Sequence, residues 1–384
     1  MSIINKERIE AYRVDEGFLM EYLQKSFNII DRNMEVFKDS FPHVSVGNKY
    51  KKQPNTQWTA SFFSGMTNLA YWATKDEKFL RNADTYLKSF EERLEKGIGV
   101  DTHDIGFLYT LSCVAVYKLT GNEKAKEIAI KAADKLITRY NPRGEYIQAW
   151  RQMGVGVGEV KIIIDCMMNL PLLYWASKVT GDSKYADIAK KHAYTSSKTL
   201  VREDGSVYHT YLFDPISGRA IEGKTHQGKY DESTWARGQA WCVYGYTLSY
   251  ILTKDAYFLR VATKAADYFI NNLPENFVHY WDFAVTDVNP EVRDTSANTI
   301  GACGLLELAK YVSDEQKAIY EKTAKIMLQQ LCKEYFIDTN ETGYGFIRES
   351  FYNIRDCNEC SSWGDYYFVE ALCKIHNKEK DILF

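Results

Sequence analysis

The stretch YWASKVTGDSKYADIAKKHA, residues 174–193, contains the structural unit that is repeated along this chain. Its first part is aromatic and apolar, and a short polar segment with Gly181 and Asp182 is typical of a turn. Its last part has apolar residues at helical spacing among lysines. The pattern predicts a helical hairpin, in which a buried helix is followed at once by an amphipathic helix with one charged face.

The same unit recurs around four other turns, near Asp76, Asn122, Asp255 and Asp314. With the turn at Asp182 included, successive turns are 46, 60, 73 and 59 residues apart. A closed double ring of such hairpins is an (α/α)6 toroid, or barrel, with the apolar helices inside. An open helical-repeat solenoid that binds other proteins is the competing interpretation. The irregular intervals and the unusual residues in the long connections favour the toroid.

Periodic segments predict about twelve helices, six inner and six outer, and therefore an all-α fold. The seven prolines and the absence of a Ser/Gly/Pro-rich linker favour one catalytic domain over residues 1–384. The helices are expected near residues 15–38, 58–75, 77–97, 103–120, 123–139, 160–180, 184–201, 233–253, 256–273, 294–313, 315–333 and 362–376.

Four long connections separate these helices, and function is expected in them because loops carry most binding and catalytic residues. In a toroid they would gather at one mouth of the barrel. One of them contains SVYHTYLFD, a turn at residues 215–218 and RAIEG, which predict a small β-hairpin. The connections are residues 140–159, 202–232, 274–293 and 334–361.

The charge balance excludes some classes of protein. Lys and Arg number 48 against 51 Asp and Glu, so the net charge of −3 gives no basic field for nucleic acid. No apolar run of about 18 residues predicts a membrane span, and the first residues lack the apolar core of a secretory signal. Aromatic residues make up 14%, which indicates a large aromatic core and a ligand cleft lined with rings.

Eight cysteines occur, and most lie inside apolar helical patterns, as buried free thiols do. A chain of this length needs no disulfides to hold its core. Cys357 and Cys360 form one CxxC, but no second pair with zinc-ligand spacing lies nearby, which favours a chance pairing. A reduced, cytoplasmic protein is expected.

Asp165 is the strongest single indication of chemistry. It lies in VKIIIDCMMNLPLLYW, residues 160–175, among apolar side chains. A carboxylate is rarely buried without a partner, and desolvation raises its pKa toward the range of a general acid. A structural Asp satisfied by Asn169 or by a backbone N–H is the alternative. Pro171 follows Asp165 in the same predicted helix and is expected to kink that helix.

Asp104, in DTHDIGFLYTLS, stands at the start of another predicted inner helix. A helix N-cap is at least as good an explanation as catalysis, because Asp is favoured at that position. Both Asp residues nevertheless stand near the starts of inner helices. If they share one cavity, a second carboxylate sets the protonation of the first.

The segment THQGKYDESTWARGQAW, residues 225–241, is rich in recognition groups, with Ser233 or Thr234 as candidate caps of the following helix. The planar fork of Arg237 suits a carboxylate, although a plain salt bridge is possible. Rings that stack on pyranose faces beside polar groups that bind hydroxyls indicate a sugar-acid site. The candidates besides Arg237 are Trp58, Trp150, His209, His226, Gln227, Trp235 and Trp241, together with Gln239.

Other known cofactor-binding, catalytic and metal-binding motifs are absent or incomplete in this sequence. Gly154, Gly156 and Gly158 precede a helix, but no βαβ unit surrounds them and their spacing is wrong for a dinucleotide loop. The chain has no P-loop, no HExxH and no GxSxG. Its seven histidines are scattered, and no close pair indicates a metal site.

Taken together, the motifs make this chain resemble the unsaturated glucuronyl hydrolases, glycoside hydrolase family 88. STWARGQAW is the most specific of them, and they run in order from residue 57 to residue 367. The matching segments are QWTASFF (57–63), HDIGFLY (103–109), QAW (148–150), IIDCMMNLPLLYWAS (163–177), YHTY (208–211), THQG (225–228), STWARGQAW (233–241), RDTSA (293–297) and SSWGDYY (361–367).

The resemblance implies an (α/α)6 barrel and a role for each matching residue. Asp104 and Asp165 match the two essential carboxylates, and Asp165 matches the general acid/base. Aromatic subsite positions correspond to Trp58, Trp150, Trp235 and Trp241, and uronate contacts to His209, Gln227 and Arg237. No metal or organic cofactor is implied. The partners are the unsaturated oligosaccharide and water as co-substrate, with no nucleic acid and no membrane.

The implied chemistry is hydration of the 4,5 double bond that a polysaccharide lyase leaves in a uronic acid, as a step of glycosaminoglycan degradation. Unsaturated rhamnogalacturonyl hydrolases usually show a WARGNGW-like motif, whereas this chain has Gln239-Ala240. A sugar epimerase on the same barrel needs paired catalytic histidines, and a non-enzymatic helical-repeat binding protein needs no buried carboxylates. His226 stands where a permanent cation would favour sulfated sugars, so unsulfated substrates are expected to be preferred.

Overall fold

The computed structural model describes residues 3–150, 153, 160–353 and 358–377. Three features of the sequence lie outside these residues: the three glycines of the 154–158 motif, Cys357 of the CxxC pair, and Arg355, a cation close in sequence to the SSWGDYY segment. The helices are α1 Lys6–Ala11, α2 Glu16–Val36, α3 Ala60–Thr74, α4 Ala83–Glu95, α5 Ile105–Tyr109, α6 Ala115–Thr120, α7 Glu123–Ile137, α8 Leu170–Thr180, α9 Lys184–Thr199, α10 Ala236–Thr253, α11 Ala256–Asn271, α12 Thr295–Leu308, α13 Asp314–Gln330 and α14 Ser362–His376.

Short strands join these helices: β1 Ser45–Val46, β2 Lys49–Tyr50, β3 Tyr140–Asn141, β4 Tyr146–Ile147, β5 Val160–Ile163, β6 Thr210–Phe213 and β7 Ala220–Lys224. Strands β6 and β7 form the predicted antiparallel hairpin. Strand β5 pairs with β6, so the sheet has three strands in the order β5-β6-β7.

The inner helices form a closed ring, which confirms the predicted (α/α)6 barrel. Each contacts the next in the order α3, α5, α8, α10, α12 and α14, and α14 contacts α3. Helices α5 and α6 are one inner element joined through a π-helical turn, Thr110–Val114. Aromatic rings from four inner helices pack against one another inside the ring, at centroid distances of 5.3–5.9 Å: Phe62, Phe107, Trp241 and Tyr367.

Four hairpin turns share one chemical design. A threonine in the last turn of the inner helix donates its hydroxyl to the carbonyl four residues earlier and accepts the N–H two residues later; these are Thr74, Thr120, Thr180 and Thr253. The next residue is left-handed: Lys75, Gly121, Gly181 and Lys254. An Asp or Asn then accepts a backbone N–H of the segment that follows. For Asp76 this segment is the 3-10 turn Glu77–Leu80, and for Asn122, Asp182 and Asp255 it is the outer helix.

The prediction of one helix over residues 160–180 is wrong. Residues Val160–Ile163 are strand β5, because they pair with β6, and Ile164–Met168 form a 3-10 turn before α8. Pro171 therefore lies in the first turn of α8, where its missing N–H costs nothing, and it does not kink a helix. The apolar run Ile162–Ile164 fits a strand and a buried helix equally well by pattern alone.

Two further boundaries differ from expectation. The segment predicted as a helix over 77–97 divides into a 3-10 turn, Glu77–Leu80, and α4. Helix α10 begins at Ala236 after Trp235, and neither Ser233 nor Thr234 caps it. The Ser233 hydroxyl donates to Asp282, and the Thr234 hydroxyl accepts from Arg202, so tertiary partners hold both side chains.

The described cysteines are free, and all seven are buried. In the part of the chain that the structure describes, no helix combines the length and the apolar character that a membrane span requires.

Candidate active site

A cavity of about 470 Å³ opens at the end of the barrel where the inner helices begin. All four predicted connections contribute residues to it, which confirms that they gather at one mouth. Its walls are formed by Trp58, His103, Asp104, Trp150, Ile163, Asp165, His226, Gln227, Gly228, Trp281, Phe351, Tyr352 and Asn353.

Asp165 lies in the 3-10 turn before α8, and only 14% of its side chain is exposed. Burial raises the pKa of this carboxyl group to about 7, and the negative charge of Asp104 acts in the same direction. The positive charge of Arg237 opposes both effects. Near neutral pH a substantial fraction of Asp165 therefore holds a proton, as a general acid must.

His209, on the segment that enters β6, is fully buried beside Asp165. Its Nδ1 accepts the backbone N–H of Gln227 at 3.0 Å and of His226 at 3.3 Å. Burial lowers the pKa of His209 well below its usual range, so the ring is neutral and carries its hydrogen on Nε2. That nitrogen lies 3.8 Å from Oδ2 of Asp165. The ring is held by stacking on Trp235, with centroids 4.3 Å apart.

Several buried polar atoms at this mouth have no hydrogen-bond partner among the described residues. They are Oδ2 of Asp165, Nε2 of His209, Nδ1 of His103, and the indole nitrogens of Trp235 and Trp241. Leaving such atoms unpaired costs roughly 1–3 kcal/mol each. Two of these atoms, Nε2 of His209 and Oδ2 of Asp165, lie 3.8 Å apart. Unsatisfied polar atoms beside a cavity indicate a site built for a polar ligand or water.

Asp104 occupies the N-cap position of α5, but its side chain makes no capping hydrogen bond. The Thr102 hydroxyl donates to Oδ2 at 2.8 Å, and Nε2 of His103 lies 3.2 Å from Oδ1. Burial lowers the pKa of His103, so it is a neutral donor. Each oxygen of Asp104 thus has one neutral donor, and the carboxylate faces the cavity. The capping explanation is therefore not supported.

Asn169 connects the two segments that carry the carboxylates. Its Oδ1 accepts the backbone N–H of Phe107 at 2.6 Å, and its Nδ2 donates to the carbonyl of Asp165 at 3.2 Å. Gly106 permits this contact, because a Cβ there would lie 2.3 Å from the Asn169 backbone. Asn169 thus holds the Asp165 backbone rather than the carboxylate, and it fixes the start of α5 against the 3-10 turn.

Arg237 lies behind the cavity wall, with 1% of its surface exposed. It donates to Oδ2 of Asp294 at 2.6 Å and to the carbonyl of Phe351. Gln227 donates through Nε2 to the carbonyl of Tyr352 at 2.7 Å. These bonds hold the segment 351–353 against the barrel as one wall of the cavity.

Trp150 has a left-handed backbone with φ of 38°, which is rare for a bulky residue. Its carbonyl accepts from Arg139 and Gln148 at 2.5 and 3.1 Å, and these bonds hold the conformation. The indole packs against His226 and His103 with centroids 5.1 and 5.9 Å away. The strained backbone aims this ring into the cavity.

The structure brings six of the eleven predicted residues to the cavity surface: Trp58, Asp104, Trp150, Asp165, His226 and Gln227. Gln239 does not line the cavity, and its amide donates to the carbonyls of Gly205 and Ala265. The other four, His209, Trp235, Arg237 and Trp241, are buried directly behind it. Four further lining residues were not among the predicted site residues: His103, Trp281, Phe351 and Tyr352. For His103 the signal was its place beside Asp104 in HDIGFLY, whereas the others stand in connections whose course no local pattern gives.

The three histidines 103, 209 and 226 are far apart in sequence but meet around this mouth. Among the described residues, no group of three or more His, Cys, Asp or Glu side chains is arranged to hold a metal ion. The fold and the site define a helical-barrel enzyme with one carboxyl group of raised pKa beside a second carboxylate, in an aromatic-walled cavity.

The chain belongs to Glycosyl Hydrolase Family 88, which it matches over residues 29–378. It is 43% identical over 356 residues to the unsaturated glucuronyl hydrolase of Bacillus sp. (strain GL1), covering 91% of this chain and 94% of that one. Identity is 40% over 362 residues with the unsaturated chondroitin disaccharide hydrolase of Streptococcus agalactiae serotype III (strain NEM316), covering 93% and 91%.

Solved structures of unsaturated glucuronyl hydrolase from Streptococcus agalactiae have the same fold. The crystal structure of that enzyme matches with a TM-score of 0.95 at 38% identity, covering 100% of this chain and 98% of that one. A mutant complexed with dGlcA-GalNAc6S matches with a TM-score of 0.88 at 36% identity and the same coverage. The chain is accordingly a glycoside hydrolase of the unsaturated glucuronyl type, and the solenoid and rhamnogalacturonyl alternatives are not supported.

Proposed function

We propose that this cavity hydrates the 4,5 double bond of a terminal unsaturated uronic acid and so releases it from lyase-generated glycosaminoglycan oligosaccharides. The observation that carries the proposal is the buried Asp165, whose pKa is raised to about 7 and whose Oδ2 has no partner among the described residues. A protonated carboxyl group with an open oxygen is what protonation of carbon requires.

In the proposed reaction Asp165 gives its proton to C4, and positive charge develops at C5 and the ring oxygen. Water adds at C5, and its proton passes to the Asp165 carboxylate, which restores the acid. The resulting hemiketal opens the ring, and the hemiacetal at C1 then releases the second sugar as an alcohol. One residue serves as acid and then as base, so the two-carboxylate schemes of ordinary glycosidases do not apply.

The residues around Asp165 have separate proposed roles. Asp104 raises the pKa of Asp165 through its negative charge and binds sugar hydroxyls. The Nε2 hydrogen of His209 is a donor for the substrate. Trp58 and Trp150 offer faces on which sugar rings stack. Arg237 contributes a positive charge behind the uronate position and supports the wall at residues 351–353.

The direct test uses an unsaturated disaccharide and follows the absorbance of the conjugated double bond. Loss of absorbance together with release of the second sugar is the expected result. The saturated disaccharide of the same sugars is the matched control and should not be cleaved, because it has no double bond to protonate. Cleavage of both at equal rates would contradict hydration.

The preference among glycosaminoglycan fragments is also proposed. Burial, and secondarily the charge of Lys161, lowers the pKa of His226, so this ring is neutral at pH 7 and pairs weakly with a sulfate. We therefore infer that unsulfated disaccharides from hyaluronan or chondroitin are preferred to 6-sulfated ones. The buried free thiols support a reducing, cytoplasmic location.

A further inference from the structure

A second cavity, of about 820 Å³, opens at the other end of the barrel, where the inner helices finish. It is larger than the candidate active site, and the reaction proposed above makes no use of it. Its walls come from the last turns of α3, α6 and α10, from both ends of α8, from the π-helical turn Thr110–Val114, from the outer helix α9, and from Tyr311.

The rim of this cavity is positively charged. Lys118, Lys178, Lys190 and Lys254 line it, and no Asp or Glu is among its described lining residues. Three of these lysines stand in or just after the last turn of an inner helix, where a cation offsets the helix dipole. Lys190 lies in the middle of α9, so that explanation does not cover it.

The interior of the cavity is apolar and aromatic, with two buried hydroxyl groups, those of Thr110 and Tyr174. Val114, Pro171 and Trp175 line it, and each is largely buried. Thr110 also lines it, is 4% exposed, and has a hydroxyl oxygen without a partner among the described residues. Thr110 begins the π-helical turn Thr110–Val114, and such turns are frequent at functional sites.

We propose that this cavity binds an amphipathic organic anion. The ring or apolar body of the ligand lies against Trp175 and Pro171, and its carboxylate, sulfate or phosphate group lies at the lysine rim. A cluster of cations without lining carboxylates attracts an anion, and an aromatic pocket of this volume accommodates one or two rings. Thr110 provides a hydrogen-bond partner inside. The site is separate from the glycosidase cavity and does not depend on the proposed reaction.

The test uses 8-anilinonaphthalene-1-sulfonate as the probe and the full chain in its folded state. Saturable, single-site fluorescence enhancement is expected, and the apparent Kd should rise with ionic strength. The double variant Lys178→Glu/Lys254→Glu reverses two exposed charges and should weaken binding at least tenfold. The exposed Lys131→Glu, outside the cavity, is the matched control and should change the Kd less than twofold.

A second variant blocks the space instead of the charge. Ala186 lines the cavity from α9, and Ala186→Trp should abolish saturable binding while the melting temperature stays within a few degrees. If Ala186→Trp does not fold, the comparison of Lys178→Glu/Lys254→Glu with Lys131→Glu still tests whether the probe binds in this cavity. Binding that neither variant weakens, or that a saturating unsaturated disaccharide displaces competitively, would overturn the proposal and assign the probe to another surface or to the active site.

Discussion

The two mouths of the barrel are built from the same six inner helices but follow different rules. Where the helices end, four turns repeat one arrangement of a threonine, a left-handed residue and an Asp or Asn cap, and their polar groups are paired. Where the helices begin, every connection is different, Trp150 is strained, and several buried polar atoms have no described partner. Regular turns specify the fold, whereas irregular connections carry the chemistry.

Two buried carboxyl groups, Asp165 at the candidate active site and Asp365 outside it, differ in their hydrogen bonds. Burial raises the pKa of both Asp165 and Asp365 to about 7. Asp365 accepts hydrogen bonds from Tyr50, Ile347 and, more weakly, Phe346, whereas Oδ2 of Asp165 has no partner among the described residues. A raised pKa alone therefore does not distinguish a catalytic group from a structural one, but an open oxygen at a cavity does.

The largest expected effect is on Asp165→Asn, which keeps the shape and removes the proton. Turnover of the unsaturated disaccharide should fall by at least about 10²–10⁴, the usual share of acid–base catalysis. Asp365→Asn is the matched control and should retain most of kcat, since Asp365 lies outside the cavity lining. Folded Asp165→Asn with near-normal turnover would contradict the assignment.

Asp165→Asn and Asp365→Asn should also change how the stability of the protein depends on pH. An unfolded Asp ionises near pH 3.9, whereas each folded group holds its proton until about pH 7. The wild-type free energy of unfolding should therefore fall as pH rises from about 4 to 7, because the unfolded state loses its protons first. At pH 8 each Asn variant should be more stable than wild type, by about 2–4 kcal/mol, and near pH 4 the gain should vanish. Urea titrations at both pH values measure this.

The next effect concerns the groups that hold Asp104. Asp104→Asn should reduce kcat strongly and lower the upper pH limit of activity, because it removes the negative charge that helps to raise the pKa of Asp165. Thr102→Val removes the 2.8 Å hydrogen bond to Oδ2 of Asp104. This variant should shift the upper pH limit of activity with a smaller loss of kcat, and Thr102→Ser should restore the wild-type limit. The kcat–pH profile is the measurement, and unchanged profiles in both Asp104→Asn and Thr102→Val would leave Asp104 with a purely structural role.

Arg237→Lys should have an intermediate effect. Lysine keeps the charge behind the cavity but cannot match the guanidinium that joins Asp294 and the Phe351 carbonyl. We expect a rise in KM of about tenfold, with a smaller change in kcat, and a loss of stability of about 1–3 kcal/mol. If the 6-methyl ester of the substrate is turned over as fast as the free acid, recognition of the uronate carboxylate near Arg237 is wrong.

A smaller change is expected at His226, which lines the cavity beside Trp150. His226→Arg should shift kcat/KM toward the 6-sulfated disaccharide by a few-fold relative to the unsulfated one, because a guanidinium pairs with an oxyanion at any working pH. His226→Gln, which is neutral, is the control and should leave the ratio near the wild-type value. A wild-type ratio that favours the sulfated sugar tenfold, or about 1.4 kcal/mol, would overturn the predicted preference.

Particular residues show how far sequence reasoning reaches. The hairpin turns were predictable because each needs only a glycine or lysine in the left-handed conformation and an Asp or Asn cap, all local in sequence. Asp165 was predictable because a charge inside an apolar run is costly. The strand at Val160–Ile163 was not predictable, since its paired residues in β6 lie 47 to 53 positions away and its pattern fits a helix equally well.

The candidate site shows the same limit. Asp104 and Asp165 could be named from the chain, but their shared cavity depends on Asn169, which joins residues 62 positions apart. The burial of Arg237 behind the wall depends on Asp294 and on segment 351–353, contacts that no local pattern reveals. Long-range hydrogen bonds thus decide which predicted residues reach the substrate and which support it.

The smallest expected effect lies at the far mouth and isolates the fold from the chemistry. Gly121 has φ of 72°, and a Cβ there would meet no atom within 4 Å, so Gly121→Ala introduces backbone strain without a steric clash. Unfolding free energy should fall by about 1 kcal/mol, whereas kcat/KM for the unsaturated disaccharide should stay within the error of wild type. Gly121→Asn should lose less stability than Gly121→Ala, because Asn tolerates the left-handed region. If Gly121→Ala instead lowers kcat at unchanged stability, the two mouths of the barrel are coupled, and the fold and the chemistry are not separate.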